Sequence, residues 1–416
     1  MVGVLAACSG GRASVAPTPV PVHAVRPGID VLLSDSIRLV RHARLGLVTN
    51  QAGVDADGRS DVERLRASGL RLVALFSPEH GFRGSAAPGA VVSNARDSAT
   101  GLPIYSLYGQ NTAPTPAMLK GIDVVLVDLQ DVGARYYTYL ATTVAVMRAA
   151  ERQGKRVVVL DRPNPIGGAV QGNVLDTAYA SFVGVLPVPM RHGMTLGELA
   201  RMANADLAIG ADLTVVPVAG WSPAMALDQT GLPFVPPSPN LLSLEALFHY
   251  PGLCLVEGTN LSVGRGSDHP FEQVGAPWLD TVRVLARLRT ADLPGVSFAG
   301  VQFRPRAPGD GKYADTLVTG VRLTVTDRSR YDPTVTAVTL LAIVREIHPD
   351  QFRWAPGQFD RLAGTNVLRL GLADGDSPGV VTSGWPAGLQ AFAARRVPAL
   401  LYPRPAGTNG ADQAAP

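Results

Sequence analysis

The segment Ser77-Pro78-Glu79-His80-Gly81-Phe82-Arg83-Gly84 sets a carboxylic acid beside an imidazole directly after an apolar run. A carboxyl group held among apolar strand ends can deliver a proton at neutral pH, and an adjacent histidine can share that proton or hydrogen-bond to it. The plainer alternative is that Glu79 and His80 only satisfy the backbone groups of a turn. A second concentration, Asp128-Leu129-Gln130-Asp131-Val132-Gly133-Ala134-Arg135-Tyr136-Tyr137-Thr138-Tyr139, carries two carboxylates, an amide, an arginine and three tyrosines. Such groups are costly to bury unless they pair with each other or with a ligand. Aromatic faces with carboxylate and amide hydrogen bonds are also how sugars are commonly gripped. Asp128 alternatively caps the turn that follows it.

Three further polar segments join these. Asp161-Arg162-Pro163-Asn164-Pro165-Ile166-Gly167-Gly168 is stiffened by its prolines, so Asp161, Arg162 and Asn164 are presented with little freedom. Asp161 and Arg162 alternatively form a structural ion pair. Pro189-Met190-Arg191-His192-Gly193-Met194 precedes a helix start at Thr195, where backbone donors beside Arg191 and His192 suit an anion. The last group is Pro237-Ser238-Pro239-Asn240, then Glu257-Gly258-Thr259-Asn260-Leu261-Ser262-Val263-Gly264-Arg265-Gly266, then Phe271 to Trp278; these loops could close over a cleft shared by two domains. No His-x-x-x-His or Glu-x-x-His spacing is present, so no metal site is expected.

The elements that must position these segments alternate. Leu45 to Asn50, Leu70 to Phe76, Ile122 to Leu129 and Arg156 to Leu160 read as strands, the third with the continuous Val124-Val125-Leu126-Val127 of a parallel strand covered on both faces. A helix opens at Ser60, with Glu63 at capping-box spacing. Others run from Thr142 to Gln153 and from Thr195, with Glu198 at the same spacing, to Ala208. Polar residues gather just after the strands, which predicts a doubly wound, mostly parallel α/β sheet with its site at the carboxyl ends of the strands. No Gly-x-Gly-x-x-Gly or Gly-Lys-Ser/Thr loop follows a strand, so neither a dinucleotide nor a nucleoside triphosphate is implied.

After a Trp-, Pro- and Ser-rich crossover near 220–240, a second α/β unit is predicted. It holds a strand at Leu317 to Val325, a helix at Val335 to Ile347 and a closing strand near Ala399 to Tyr402. Cys254 sits in an apolar, strand-like run as a buried thiol. The division expected is 27–225 for the first domain, 226–403 for the second and 404–416 for a disordered tail.

A chain of 416 residues is long enough for two cores. With 46% hydrophobic residues, 17% charged and a net charge of +3, it reads as globular and shows no basic footprint for nucleic acid. The two cysteines are too few for a disulfide framework. Leu5-Ala6-Ala7-Cys8, followed by small residues, looks like a bacterial lipobox with Cys8 as the lipidated residue. The segment before it is shorter than a complete signal peptide, so the natural start is expected upstream. A Pro- and Ala-rich tether then runs to about Arg26, which suits an exported periplasmic or cell-surface lipoprotein touching the membrane only through its lipid.

Taken in order, the segments at 77–84, 128–139, 161–165, 191–195 and 257–266, with Phe359-Asp360-Arg361-Leu362-Ala363-Gly364-Thr365 after them, closely resemble the exo-acting β-N-acetylmuramidase family from about Gly28 to about Tyr402. The resemblance implies a glycoside hydrolase that removes N-acetylmuramic acid from the non-reducing ends of peptidoglycan fragments, with a Rossmann-like catalytic domain, a smaller α/β auxiliary domain and no organic cofactor. It makes Glu79 the leading catalytic carboxylate and acid, with His80 beside it. Asp128 and Asp131 are the first choices for its partner, with Asp161 or a tyrosine open. Gln130, Arg135, Tyr136, Tyr137, Asp161, Asn164, Arg191, His192, Asn240, Asn260 and Arg265 are candidates for the site wall. Arg191 or Arg265 would take the lactyl carboxylate of the sugar through a forked contact. The sequence sets neither the stereochemical course nor an oligomeric state. Two rivals share the fold: a cell-wall amidase or esterase, which would release peptide rather than sugar, and a muropeptide-binding lipoprotein, which would bind without turnover.

Overall fold

The computed structural model describes residues 25–87 and 89–404; Cys8 and its lipobox lie outside them, as does the tail from 405. Six strands open the fold: β1 Arg44–Thr49, β2 Arg71–Ser77, β3 Ala95–Arg96, β4 Pro103–Ser106, β5 Val124–Asp128 and β6 Arg156–Leu160. A two-stranded ribbon of β7 Gln171–Val174 and β8 Pro189–Arg191 follows, and then β9 Leu213–Val216. The main sheet has the order β3-β4-β2-β1-β5-β6-β9, parallel throughout except for β3 against β4. Strands run outward in both directions from the β1/β5 junction, which makes that junction the topological switch point of a Rossmann-like sheet.

The valines of β5 show why the sheet is buried on both sides. Val124 and Leu126 join one core with Ile29, Leu32, Leu45 and Leu47, while Val125 and Val127 join another with Phe76, Val157 and Val159. That is the two-residue alternation of a strand with an apolar layer on each face. The helices of this lobe are α1 Gly28–Asp35, α2 Asp61–Ala67, α3 Tyr139–Arg152 and α4 Leu196–Asp206. The Thr195–Glu198 capping box forms in full at α4, and Ser60 caps α2 through Glu63 N. The third helix starts at Tyr139, a few residues before the position read from the sequence.

The second lobe is built on an antiparallel sheet, β10 Gln273–Ala276, β11 Val296–Phe303 and β12 Val318–Val325, in the order β10-β12-β11. Around it lie α5 Leu244–Leu253, α6 Thr281–Thr290, α7 Pro333–Ile347, α8 Pro356–Ala363, α9 Val367–Asp374, α10 Pro378–Thr382 and α11 Trp385–Arg395. Its core continues without a break into that of the first lobe through Leu247, Val274, Val321, Leu341 and Phe359. At the α5–α7 crossing Gly252 is essential: a Cβ there would stand 1.9 Å from the carbonyl oxygen of Pro333.

Two elements differ from the sequence reading. Cys254 is buried as expected, but it follows α5 in a 3-10 turn, Cys254–Gly258, not in a strand. The run is apolar on every side, and such a run carries no periodicity that separates buried helix from buried strand. Ala399 to Tyr402 likewise forms no strand. A 3-10 turn ends at Ala399, and the chain then runs back over the first lobe, where the Tyr402 ring packs on Trp221. Among the described residues no helix is long and apolar enough to cross a membrane.

Candidate active site

The loop after β2 turns through two consecutive left-handed residues, His80 at φ 70° and Gly81 at φ 78°. Glycine takes this conformation freely, but a histidine there is strained, and such strain tends to collect at functional sites. The turn is fixed on the far side by Ala86, whose N–H donates to His80 O and whose carbonyl lies 3.0 Å from His80 Nδ1. A carbonyl only accepts, so Nδ1 carries the hydrogen and Nε2 is left as an acceptor. Burial pulls the imidazole pKa below its ordinary value, against the opposing Ala86 carbonyl and the charge of Glu79.

Glu79 is consequently held in a fixed pose. Its Oε1 accepts from Gly89 N–H at 3.0 Å and its Oε2 lies 2.8 Å from the Thr138 hydroxyl. Thr138 immediately precedes α3 and directs its hydroxyl to Glu79 rather than capping its own helix. Tyr108 stands beside the same carboxylate, its phenol pushed up to about 12 by burial and then by the charge of Glu79.

Glu79 and His80 open into a cleft of about 320 Å³ between the two lobes. The 3-10 turn after α5 supplies Glu257 to the same cleft. Its Oε1 accepts from Arg265 Nε at 2.5 Å, and the Cys254 thiol lies 3.6 Å from its Oε2. Burial, then Glu257, pushes that thiol well above its ordinary pKa, so it stays protonated and donates. Burial opposes the charge on Arg265, but the Glu257 carboxylate outweighs it and raises the guanidinium pKa. Among the described residues, Glu79 and Glu257 are the two carboxylates lining this cleft.

Aromatic rings complete the wall. Tyr250 meets Tyr136, Tyr137 and Phe271 edge-on, with centroids 6.2, 6.3 and 4.9 Å away, and Arg265 lies over the Phe271 ring at 4.9 Å. Tyr136 donates its hydroxyl to Pro251 O at 2.7 Å and Tyr137 donates to Pro237 O at 2.9 Å. With their polar ends tied to backbone, these two present rings rather than free phenols, which suits packing against a sugar face.

Several residues singled out in the sequence lie elsewhere. Asp128 is fully buried at the end of β5, paired with Arg162 and next to Asp61, which contacts the Thr49 hydroxyl. Burial raises both carboxyl pKa values; the charge of Asp128 raises that of Asp61 further, while Arg162 opposes the rise at Asp128. This cluster occupies the β1/β5 switch point. Beside it a water-sized cavity of about 20 Å³, lined by Gln130, Arg162 and the 232–235 segment, leaves no room for substrate. Asp131 accepts from Gly133 N–H at 2.7 Å and faces His192 Nε2 at 3.3 Å, while His192 Nδ1 accepts from Met194 N–H. Gln130 donates to Asp131 O and Pro163 O. These groups hold the loops behind the cleft and do not line it.

Asp161 and Arg162 do not pair with each other. Asp161 accepts from the hydroxyls of Thr195 and Tyr402 and from Gly197 N–H, tying β6, the start of α4 and the returning C-terminal segment together. Asn164 bonds Met194 O and Ile166 N, and Arg191 bonds Gln171 and Ile166 O, so neither reaches the cleft. Asn260 clamps Gln351 O and Arg353 N. Asn240 is half-buried beside Leu241, which does line the cleft. Arg135 donates to Asn173 O, Val188 O, Leu362 O and Ala363 O, so it staples the last turn of α8 to the first lobe. Among the described residues no group of His, Cys, Asp and Glu converges as a metal set.

Burial pushes the Asp161 carboxyl up to about 6 from 3.8, with its three donors pulling the other way. A folded-state pKa above the unfolded one means that its contribution is complete below 3.8 and lost as pH rises through 6. Asn at this position does not titrate. The stability of Asp161→Asn relative to wild type is therefore expected to rise by about 2 kcal/mol between roughly pH 4.5 and 7.5, read by urea unfolding. A pH-independent difference would contradict the assignment.

Glu257, Thr138, Tyr250 and Arg361 line the cleft but were not singled out from the sequence. Glu257, Thr138 and Arg361 lie inside motifs that the family resemblance already contained, and Glu257 with Arg265 offered a charge pair as a signal. Tyr250 carried none, because it lies in an apolar helix whose orientation is set by packing.

Comparison with known proteins gives a consistent picture. Two family models match in tandem: Exo-beta-N-acetylmuramidase NamZ, N-terminal, over residues 45–245, and its C-terminal counterpart over 248–402. A peptidoglycan beta-N-acetylmuramidase NamZ of Bacillus subtilis (strain 168) is 43% identical over 381 residues, covering 91% of each chain. Two solved DUF1343 family proteins from Bacteroides fragilis NCTC 9343 are each 33% identical. One superposes with a TM-score of 0.84 over 92% of this chain and 100% of its own. The other gives 0.72 over 91% and 99%.

Proposed function

We infer, for a chain that belongs to the exo-beta-N-acetylmuramidase NamZ family, that its chemistry is carried by Glu79 and Glu257 across the interlobe cleft. The protein is a glycoside hydrolase, an exo-β-N-acetylmuramidase of peptidoglycan. The observation that supports the residue assignment is the pairing of these two carboxylates in one aromatic-walled cleft, since glycoside cleavage uses an acid and a second carboxylate flanking the bond.

In this assignment Glu79 is the acid. Gly89 N–H donates to Oε1 and the Thr138 hydroxyl donates to Oε2, and the carboxyl held in this way passes its proton to the glycosidic oxygen. The bond from C1 to that oxygen breaks, the leaving sugar departs as an alcohol, and water supplies the new hydroxyl at C1. Glu257, fixed by Arg265 and Cys254, acts at C1 in one of two ways: as base it takes the proton of the attacking water, or as nucleophile it bonds C1 and is then displaced by water whose proton goes to Glu79. Asp128, Asp131 and Asp161 are left to structural duties by their burial and their partners.

The test is product analysis on a disaccharide with N-acetylmuramic acid at its non-reducing end. Free N-acetylmuramic acid and N-acetylglucosamine are expected in equal amounts, and release of peptide from muropeptides without sugar would favour the amidase reading instead. We also propose, from the Leu5-Ala6-Ala7-Cys8 motif, that the protein is an exported lipoprotein anchored through Cys8. Cys8→Ala, produced in the native host, is expected to move it from the membrane to the soluble fraction; unchanged fractionation would refute the anchor.

A further inference from the structure

Among the described residues two arginines line the cleft, and they are not equivalent. The Arg265 side chain is largely buried, and its charge is spent on Glu257. Arg361 is exposed at the cleft and has neither a hydrogen-bond nor an ion-pair partner among the described residues. Its neighbour Asp360 does not serve it, because both Asp360 oxygens are taken by Arg369 at 2.8 Å each. N-acetylmuramic acid differs from N-acetylglucosamine by a lactyl ether that ends in a carboxylate. Entering a site that already holds Glu79 and Glu257, that carboxylate needs a cation not already committed.

We propose that Arg361 reads the lactyl carboxylate and so sets the preference for muramic acid. The inference rests on the muramidase reading and adds to it the residue that recognises the substrate's distinguishing group. Gln358, Arg361 and Leu362 share one face of α8 at helical spacing and all line the cleft. The helix is a rigid mount. Arg135 donates to the Leu362 and Ala363 carbonyls of its last turn, Asn173 donates to Ala363 O, and Asp176 N–H donates to Gly364 O. Arg135, buried and far from free, is thereby a positioning residue for the cation at the cleft. A planar guanidinium on such a mount can meet a carboxylate with two parallel bonds, which an ammonium cannot.

The test uses binding rather than turnover, so that it stands apart from the catalytic assignment. N-acetylmuramic acid and its lactyl carboxamide are titrated calorimetrically into the full chain as wild type, Arg361→Ala and Arg361→Lys. The wild type is expected to favour the free acid by about 10- to 100-fold. Arg361→Ala is expected to bind both sugars alike, at the affinity the wild type shows for the carboxamide, and Arg361→Lys to keep part of the preference. An Arg361→Ala protein that retains the full preference overturns the proposal, as does a wild type that never had one. A wild type that binds with this preference but releases no sugar leaves the proposal standing and removes the catalytic assignment instead.

Discussion

Glu79→Gln is expected to lose about 10³- to 10⁴-fold in kcat on the muramyl-glucosamine disaccharide, the range an acid catalyst supplies, while unfolding at nearly the wild-type temperature. The two halves of that expectation have separate causes. Glutamine keeps an oxygen for Gly89 N–H and offers an N–H to the Thr138 hydroxyl, so the contacts that fix this side chain survive. What it lacks is a proton to give. A fully active variant would remove Glu79 from the chemistry, and a variant that fails to fold would show that its hydrogen bonds matter more than its acidity.

The second large effect is expected at Glu257. Replacing it with glutamine keeps an acceptor for Arg265 Nε but removes the charge that balances this arginine, a residue only 9% exposed. Breaking one side of a buried pair costs about 3–5 kcal/mol when the partner is truncated, and the isosteric change is expected to cost somewhat less, about 2 kcal/mol, in chemical unfolding. The loss in kcat is expected to reach about 10²- to 10⁴-fold and to be similar for every leaving group, because the group served is C1 rather than the departing oxygen. Wild-type kcat in a folded Glu257→Gln protein would return the search for the second group to the remaining lining residues.

The sequence carried the architecture because its local signals agree. The unbroken Val124 to Val127 run announces a doubly covered strand, and the Thr195–Glu198 spacing produces the cap it predicts. Glu79 and His80 were legible for the same reason: they follow directly from a buried strand, where a doubly wound sheet places its sites. Position at a strand end was not sufficient by itself. Asp128 sits at the switch point, the most favoured location in such a sheet, yet Arg162 and Asp61 crowd it.

The suggested Asp161–Arg162 pair failed for a reason the strand period contains: consecutive residues leaving a strand point to opposite faces. Arg162 therefore reaches Asp128 while Asp161 reaches Thr195 and Tyr402. Glu257 was the harder case. Its place in one cleft with Glu79 depends on how α5 and the following turn pack against the first lobe, and that run is apolar on all sides, with no period to read.

One comparison tests the acid and second-carboxylate roles together. Wild type, Glu79→Gln and Glu257→Gln are each assayed on the muramyl-glucosamine disaccharide, whose leaving alcohol must be protonated, and on a nitrophenyl muramide, whose leaving group departs unaided. The assignment predicts that Glu79→Gln is crippled on the disaccharide but within roughly tenfold of wild type on the nitrophenyl substrate, while Glu257→Gln is impaired on both. Equal losses on both substrates for Glu79→Gln, or a loss confined to the disaccharide for Glu257→Gln, would contradict it.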